Sequence, residues 1–366
     1  MPPPGGRLRA LPAGVRILRS VATEPATELS FGDPGVLAAE DARDRVAGLG
    51  PWNLALRRLR RNKVALAFGG LFVVIVLVCL SAPLYANHVA HTDPFKNHLT
   101  DQVRIGGKLT DVVAPDGVPI GPTWHGRFFL GADGNGRDIA VRLLYGGRTS
   151  LLIGAGAALG TILLSILFGM IAGYFRGFSD TAISRALDIL WAFPPLLLGL
   201  ALGTALALGG LKIGPLVIPG DSKLIPILII SVVQVPYMAR PLRGQVLALR
   251  EKEFVEAARA QGAGPARIMF SEILPNLVST IVVFFPLMVV NAIGYEAALS
   301  FLGAGVRPPN PSWGTILGEG IQRIVTAPHQ TIVPGLMLAL TVLSLNIFGD
   351  GVRDAFDPRA KVRMER

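Results

Sequence analysis

Side chains able to do chemistry are sparse in this sequence and gather in four places. The first is Glu256-Ala257-Ala258 with Gly262, set among good helix formers from Glu251 to Gln261, and the second is the run Asp133-Gly134-Asn135-Gly136-Arg137-Asp138. Glu296 with Asn291, inside an apolar stretch, is the third, and His88, His91 and His98 are the fourth. Imidazoles are good metal ligands, but this histidine spacing fits no defined site, so all three are expected to be solvated loop residues. The acidic run is no calcium loop, because Arg137 stands where a third oxygen ligand is required. No metal site is expected. Asp133, Arg137 and Asp138 are instead expected to organise an external gate segment, as a salt-bridged cap or, alternatively, as a substrate contact. An ionisable residue in an apolar run either lines a pathway or is bonded to fix a helix end. Both roles stay open for Glu296, and Asn291 would face the same cavity. The sequence lacks a Gly-x-x-x-x-Gly-Lys-Ser/Thr loop, a Gly-x-Ser-x-Gly elbow and a His-Glu-x-x-His helix. The chain is therefore expected to be no enzyme and to bind no cofactor itself.

The elements that must position these residues are read from hydropathy. Charged residues are 16% of the chain and hydrophobic ones 51%. Ordinary globular chains carry about 25% charged residues, so this one cannot cover a soluble surface of its size. Six apolar runs approach the roughly 20 residues needed to cross a bilayer: 64–86, 150–174, 189–209, 224–239, 277–295 and 332–349. The fourth is the shortest and is bounded by Lys223 and Arg240, whose side chains can snorkel outward. The net charge of +10 lies between the runs rather than in one patch, which suits an anionic membrane face and not a nucleic acid. Basic residues crowd before the first run, between the fourth and fifth, and after the sixth. By the positive-inside tendency both termini are expected in the cytoplasm. Residues 1–50 hold much Pro, Gly, Ala and Arg without an apolar period, and are expected to be a disordered cytoplasmic extension. No secretory leader is expected, since the first long apolar run begins only after residue 63. Cys79, the one cysteine, lies inside an apolar run and reads as a small buried hydrophobe.

The runs are not uniform. Gly156-x-x-x-Gly160 and Gly169-x-x-x-Gly173 let helix backbones approach closely, and Pro194-Pro195, Pro226, Pro236, Pro286 and Pro334 favour kinks. Between the fourth and fifth runs, Glu251–Gln261 reads as a helix stopped by Gly262-Ala263-Gly264. Pro265 opens a second short helix to Leu274, and Pro275 is expected to redirect the chain into the fifth run. Two short angled helices on the cytoplasmic surface should result.

This segment resembles the coupling loop of ABC importer permeases: Glu-Ala-Ala, three residues, Gly, nine residues, then Ile-x-Leu-Pro. Glu256-Ala257-Ala258, Gly262 and Leu274-Pro275 stand at those spacings, with Glu272 in the Ile position and Ile273 beside it. Leu130 to Asp138, leading through Arg142, Gly147 and Arg148 into Ser150-Leu151, resembles the stretch before the second span of the dipeptide, oligopeptide and nickel permeases. So does Glu296 to Gly303, followed by Pro308-Pro309 and Pro311-Ser312-Trp313-Gly314, at the end of their fifth span. Arg57 to Lys63 resembles the N-terminal region of the C-type member of the pair. The resemblance covers about residues 50 to 360. It implies an all-α polytopic membrane protein of about six transmembrane helices with cytoplasmic coupling helices, the type I importer permease fold. The divisions expected are 1–50, 51–86 with the first span, an external segment 87–148, a permease core 149–350 with coupling helices at 250–276, and a tail 351–366. It implies import of di- or oligopeptides, with nickel, glutathione or another small solute as alternatives, across a bacterial inner membrane. The partners implied are a homologous permease, two ATPase subunits that hold ATP and Mg, and an external solute-binding protein. A secondary transporter would usually show inverted repeats and intramembrane charges; here the runs are almost free of charge.

Overall fold

The structure, a computed structural model, describes residues 51–356. The extension 1–50 and the end of the tail, 357–366, lie outside the described residues. Residues 55–356 lie in one compact unit. Helix α1 (Pro51–Arg61) is divided from α2 (Lys63–Leu80) by Asn62, whose side chain accepts from Ala65 N at 3.0 Å and so caps the new helix. The short α3 (Ala82–Tyr85) leads into a segment holding an antiparallel hairpin, β1 (Gln102–Ile105) and β2 (Lys108–Asp111), with Val103 opposite Thr110. Then follow α4 (Ile139–Phe175), α5 (Gly177–Ala192), α6 (Pro195–Gly209) and a second hairpin, β3 (Leu211–Ile213) with β4 (Leu216–Ile218). Helices α7 (Leu224–Leu249), α8 (Glu253–Ala260), α9 (Pro265–Phe301), α10 (Trp313–Ile321) and α11 (His329–Phe356) complete the described residues. The two hairpins are the departure from an all-helical expectation, and both lie between spans.

Among the described residues, five helices are long and apolar enough to cross a membrane: α2, α4, α7, α9 and α11. The expected third span is broken instead, with α5 and α6 meeting at 89°; counted as one span, the pair makes six. Pro194-Pro195 is the cause. A residue before proline is pushed out of the helical region, and Phe193 and Pro194 are both extended, at ψ 136° and 123°.

Helices α4, α7, α9 and α11 outrun their apolar stretches, and in α4 and α7 added charges are paired. Helix α4 begins at Ile139 rather than near Ser150, so Arg142 and Arg148 are helical. Helix α7 runs past Ala239 to Leu249, with Arg240 paired to Asp188 at 2.7 Å and Arg243 held by both carboxylate oxygens of Asp180. Helix α11 continues beyond Gly349 to Phe356.

The core is a helix pack seated on glycine. Along the parallel pair α4 and α7, Gly156 lies against Ile227, Gly160 against Ser231, Gly169 against Ala239 and Leu242, and Gly173 against Val246. A methyl group at Gly173 would stand 2.7 Å from Val246 Cβ, so only glycine permits this approach. Hydroxyls stitch the same seam: Thr161 donates to Ser231 O and Ser165 to Val235 O, each at 3.2 Å, beside the break in backbone bonding at Pro236. Gly154 of α4 packs on Ile293 of α9, and Gly351 of α11 on Ala65 of α2. The starts of α2 and α9 thus share one end of the bundle with the ends of α4, α7 and α11. The start of α4, the end of α9 and the whole of α10 share the other, called here the cap end.

Candidate functional site

At the first end α7 gives way to α8 and then α9. The break between α8 and α9 is a backbone lock. Gly262 has φ +81°, its N–H donates to Arg259 O at 2.9 Å, and Ala263 N–H donates to Ala258 O at 3.0 Å. This is the paired closure by which a glycine in left-handed geometry ends a helix. Ala258 and Ala263 then rest on the same apolar cluster, which includes fully buried Val255, Ile268, Ile273 and Leu277. One face of α8 is thereby held while Phe254, Glu256, Ala257 and Gly262 stay exposed. The carboxylate of Glu256 has no ion pair or hydrogen bond among the described residues. Leu274 is half-buried and Pro275 exposed.

The expected redirection at Pro275 does not occur. Helix α9 runs unbroken from Pro265 through it, because Ile268–Ile273 takes a wider π-helical turn. Such a turn makes room for a proline ring and absorbs its missing donor; beside it the Asn276 side-chain amide donates to Glu272 O at 2.7 Å. The turn also moves the register by one residue, so that Ile273 and not Glu272 faces the core, at 0% exposure. Two ties join this region to the end of α4: Arg250 donates to Tyr174 O, and Arg176 pairs with Glu251 at 2.6 Å.

The cap end is built from charge. Asp133 accepts from the backbone N–H groups of Asn135 and Arg137, both at 2.9 Å, which folds the glycine-rich run back on itself. Its second oxygen meets Arg137 Nε at 2.7 Å and Arg142 Nε at 3.4 Å. Glu319 of α10 receives Arg137 at 2.7 Å and Arg142 at 2.8 Å. Two guanidiniums and two carboxylates thus close one network joining the run before α4, α4 itself and α10, with Arg142 wholly buried. Asp138 is not a member. Its carboxylate accepts from Val141 N at 3.1 Å and Phe128 N at 2.6 Å, capping α4. Asp133 and Arg137, with Glu319, also line a cavity of about 310 Å³.

Residues 165–362 match the family described as the inner membrane component of binding-protein-dependent transport systems. Residues 50–102 match the N-terminal transmembrane domain of oligopeptide transport permease C. A dipeptide transport system permease of Alkalihalophilus pseudofirmus is 36% identical over 93% of this chain and 99% of its own length. The chain belongs to this permease family. A glutathione transport system permease of Pectobacterium atrosepticum is likewise 36% identical, over 85% of this chain and 92% of its own.

Within the permease, Glu296 is fully buried and accepts from the Ser300 hydroxyl at 2.7 Å. That hydroxyl in turn accepts from Val306 N at 2.9 Å, so the acid sits where α9 ends. Asn291 is half-buried on the same helix. His88 and His91 are exposed, as expected, but His98 is 3% exposed, a correction to its reading as a solvated residue. It is bonded to Thr92 at 2.9 Å and to Asp101 at 2.8 Å, with Arg127 against it. Sequence reading also left Glu319 unmarked, although a lone acid in the apolar run Trp313–Ile321 was a signal of the same kind as Glu296. Asp180 and Asp188 gave no such signal, since their arginines lie 63 and 52 residues away.

Proposed function

We propose that this permease is a membrane subunit of an ATP-driven importer whose α8–α9 turn receives the motion of an ATPase partner. The supporting observation is the backbone lock at Gly262, which with buried Val255 and half-buried Ala258 holds α8 and leaves Glu256 and Ala257 exposed. A surface of small exposed residues on a held helix can enter a groove of a second protein without first ordering itself. The assembly proposed is this chain, a homologous permease, two ATPases holding ATP and Mg, and a soluble binding protein on the opposite side. Both termini and the α8–α9 turn face the cytoplasm in this reading, following the basic residues near the span ends, and the cap end faces outward. Asp133, Arg137 and Asp138 shape the outer segment. Asn291 faces the pathway, and Glu296 acts by holding the end of α9 through Ser300. The solute proposed is a di- or oligopeptide, after the dipeptide and glutathione relatives.

The test is reconstitution of the whole complex with its binding protein. Substituting Glu256→Ala together with Gly262→Val should break ATPase association or ATP-driven uptake while the two permeases still co-purify. Unchanged uptake would overturn the coupling role. Stimulation of ATP hydrolysis by binding protein loaded with dipeptide, glutathione or nickel identifies the solute; a response to nickel alone would overturn the peptide reading.

A further inference from the structure

The cavity at the cap end holds a cation that the ion-pair network leaves over. Glu319 stands four residues before Arg323, a spacing at which helical side chains of opposite charge meet. Yet Glu319 receives Arg137 and Arg142 instead. Asp133, the other carboxylate of the network, is taken by the same two guanidiniums. Arg323 lines the cavity, and its guanidinium makes no ion pair or hydrogen bond among the described residues. It is nonetheless held in place. It lies against Gly134, where any side chain would collide with it. Gly134 in turn belongs to the run that Asp133 folds through the N–H groups of Asn135 and Arg137. These five charged side chains leave one positive charge in excess.

Size and walls limit what fills the cavity. At about 310 Å³ it stands at the small end of ligand sites, which run from about 300 to 1,000 Å³. Phe301, which is 43% exposed, and Pro308 give it an apolar wall. Asn135 and Gln322 add neutral amides that both donate and accept. The excess positive charge repels a bare metal cation. It attracts a carboxylate, whose two oxygens match the planar fork of a guanidinium. An apolar side chain, a peptide amide and a carboxylate on one small molecule would each meet a complement here. The geometry points to a solute site in the permease itself: the cavity receives the free carboxylate end of a small peptide on Arg323, with its last side chain against Phe301 and Pro308. This names a site for the peptide solute and rests on the peptide reading proposed above.

Binding in the absence of the soluble binding protein tests the site. The assembled complex of permeases and ATPases is dialysed against radiolabelled dialanine, and separately against its C-terminal amide, which lacks the carboxylate. Dialanine should bind saturably in the millimolar range and the amide about tenfold more weakly, a difference of about 1.4 kcal/mol. Arg323→Gln removes a charge that has no internal partner, so the unfolding midpoint should hold while dialanine falls to the level of its amide. Arg323→Lys keeps the charge without the fork and should keep part of the preference. No saturable binding, equal binding of the two peptides, or a preference that survives Arg323→Gln would overturn the site. ATP-driven uptake of dialanine with the binding protein present is measured alongside. Uptake without the carboxylate preference means that the site is wrong and the importer reading stands. A preference that Arg323→Gln abolishes, in a complex that does not take up dialanine, keeps the site and overturns the peptide importer.

Discussion

The two ends of this permease are made rigid by opposite means. At the cap end, four charged side chains from three segments are locked together with little access to water, and the backbone follows them. At the α8–α9 turn the order is reversed. The backbone closure at Gly262 and the small residues Ala258 and Ala263 set the shape, and the polar side chain of Glu256 is left without an internal partner. The four charges of this network are paired with one another. A region held by backbone and alanine can present its charged groups to another protein. Helix α4, about 55 Å long at 1.5 Å per residue, touches both ends, at Arg142 and at Tyr174.

The largest effect that would test this contrast is at Glu319. Replacing it with Gln leaves two guanidiniums, one of them fully buried, with the single carboxylate of Asp133. Breaking a buried ion pair from one side costs about 3–5 kcal/mol, so the unfolding midpoint of the purified chain in detergent should fall steeply. The double variant Glu319→Met with Arg142→Met removes both charges and should recover much of the loss. If Glu319→Gln unfolds like the parent chain, the cap is not held by charge.

The shaft between the ends comes next. Gly173→Leu forces atoms into the space of Val246, and overpacking a filled interface costs about 1–3 kcal/mol. Gly244→Leu on α7 is the control, since nothing stands within 4 Å of its open side. The first should lower the unfolding midpoint and the second leave it near the parent; equal effects would mean that the glycine seam does not set the α4–α7 approach. At the turn itself the effect is smaller and of another kind. Gly262→Ala meets no neighbour, only the left-handed backbone, at a cost of about 1 kcal/mol. Global unfolding should hardly move, while ATP hydrolysis stimulated by binding protein should drop severalfold. A fall in stability without a fall in coupling would reverse the assignment of the two ends.

What could be read from sequence follows the same division. Five of the spans and the glycine seam depend on local runs and spacings, and 156–160 and 169–173 behave as their pattern suggests. The break at Pro194-Pro195 was visible as a proline pair, but its 89° angle depends on what α5 packs against. Helix ends were misjudged wherever a distant acid neutralised an arginine: Asp188 for Arg240, Asp180 for Arg243, Glu319 for Arg142. Hydropathy sees a charge and ends the span; it cannot see a counter-charge 177 residues away. Pro275 was misread for a related reason. Its missing donor is absorbed by a π turn in the preceding residues, which no single-residue preference foretells. The same turn explains why Ile273 fills the place where the family pattern puts the residue that is here Glu272.

The smallest prediction concerns the outer edge of the cap end, where charge is present but exposed. Asp101 accepts from His98 at 2.8 Å and from Arg127 at 3.0 Å, and these hydrogen bonds, the histidine's first, hold its carboxyl below the usual carboxylate range. A carboxyl whose folded value is lowered stabilises the fold at pH above its unfolded value, about 3.9, and that contribution is lost as pH falls through the folded value. The side chain of Asp101 is 43% exposed, so water and salt screen the pair and the contribution is slight. Asp101→Asn should therefore be marginally less stable than the parent chain at pH 7, less so in high salt. The gap should close on acidification below about pH 4. Amide exchange across residues 92–127 at several pH values would read it. A gap that widens on acidification would mean that contacts other than those of Asp101 govern this edge. A gap at neutral pH as large as that of Glu319→Gln would erase the distinction between buried and exposed charge on which the reading of this end depends.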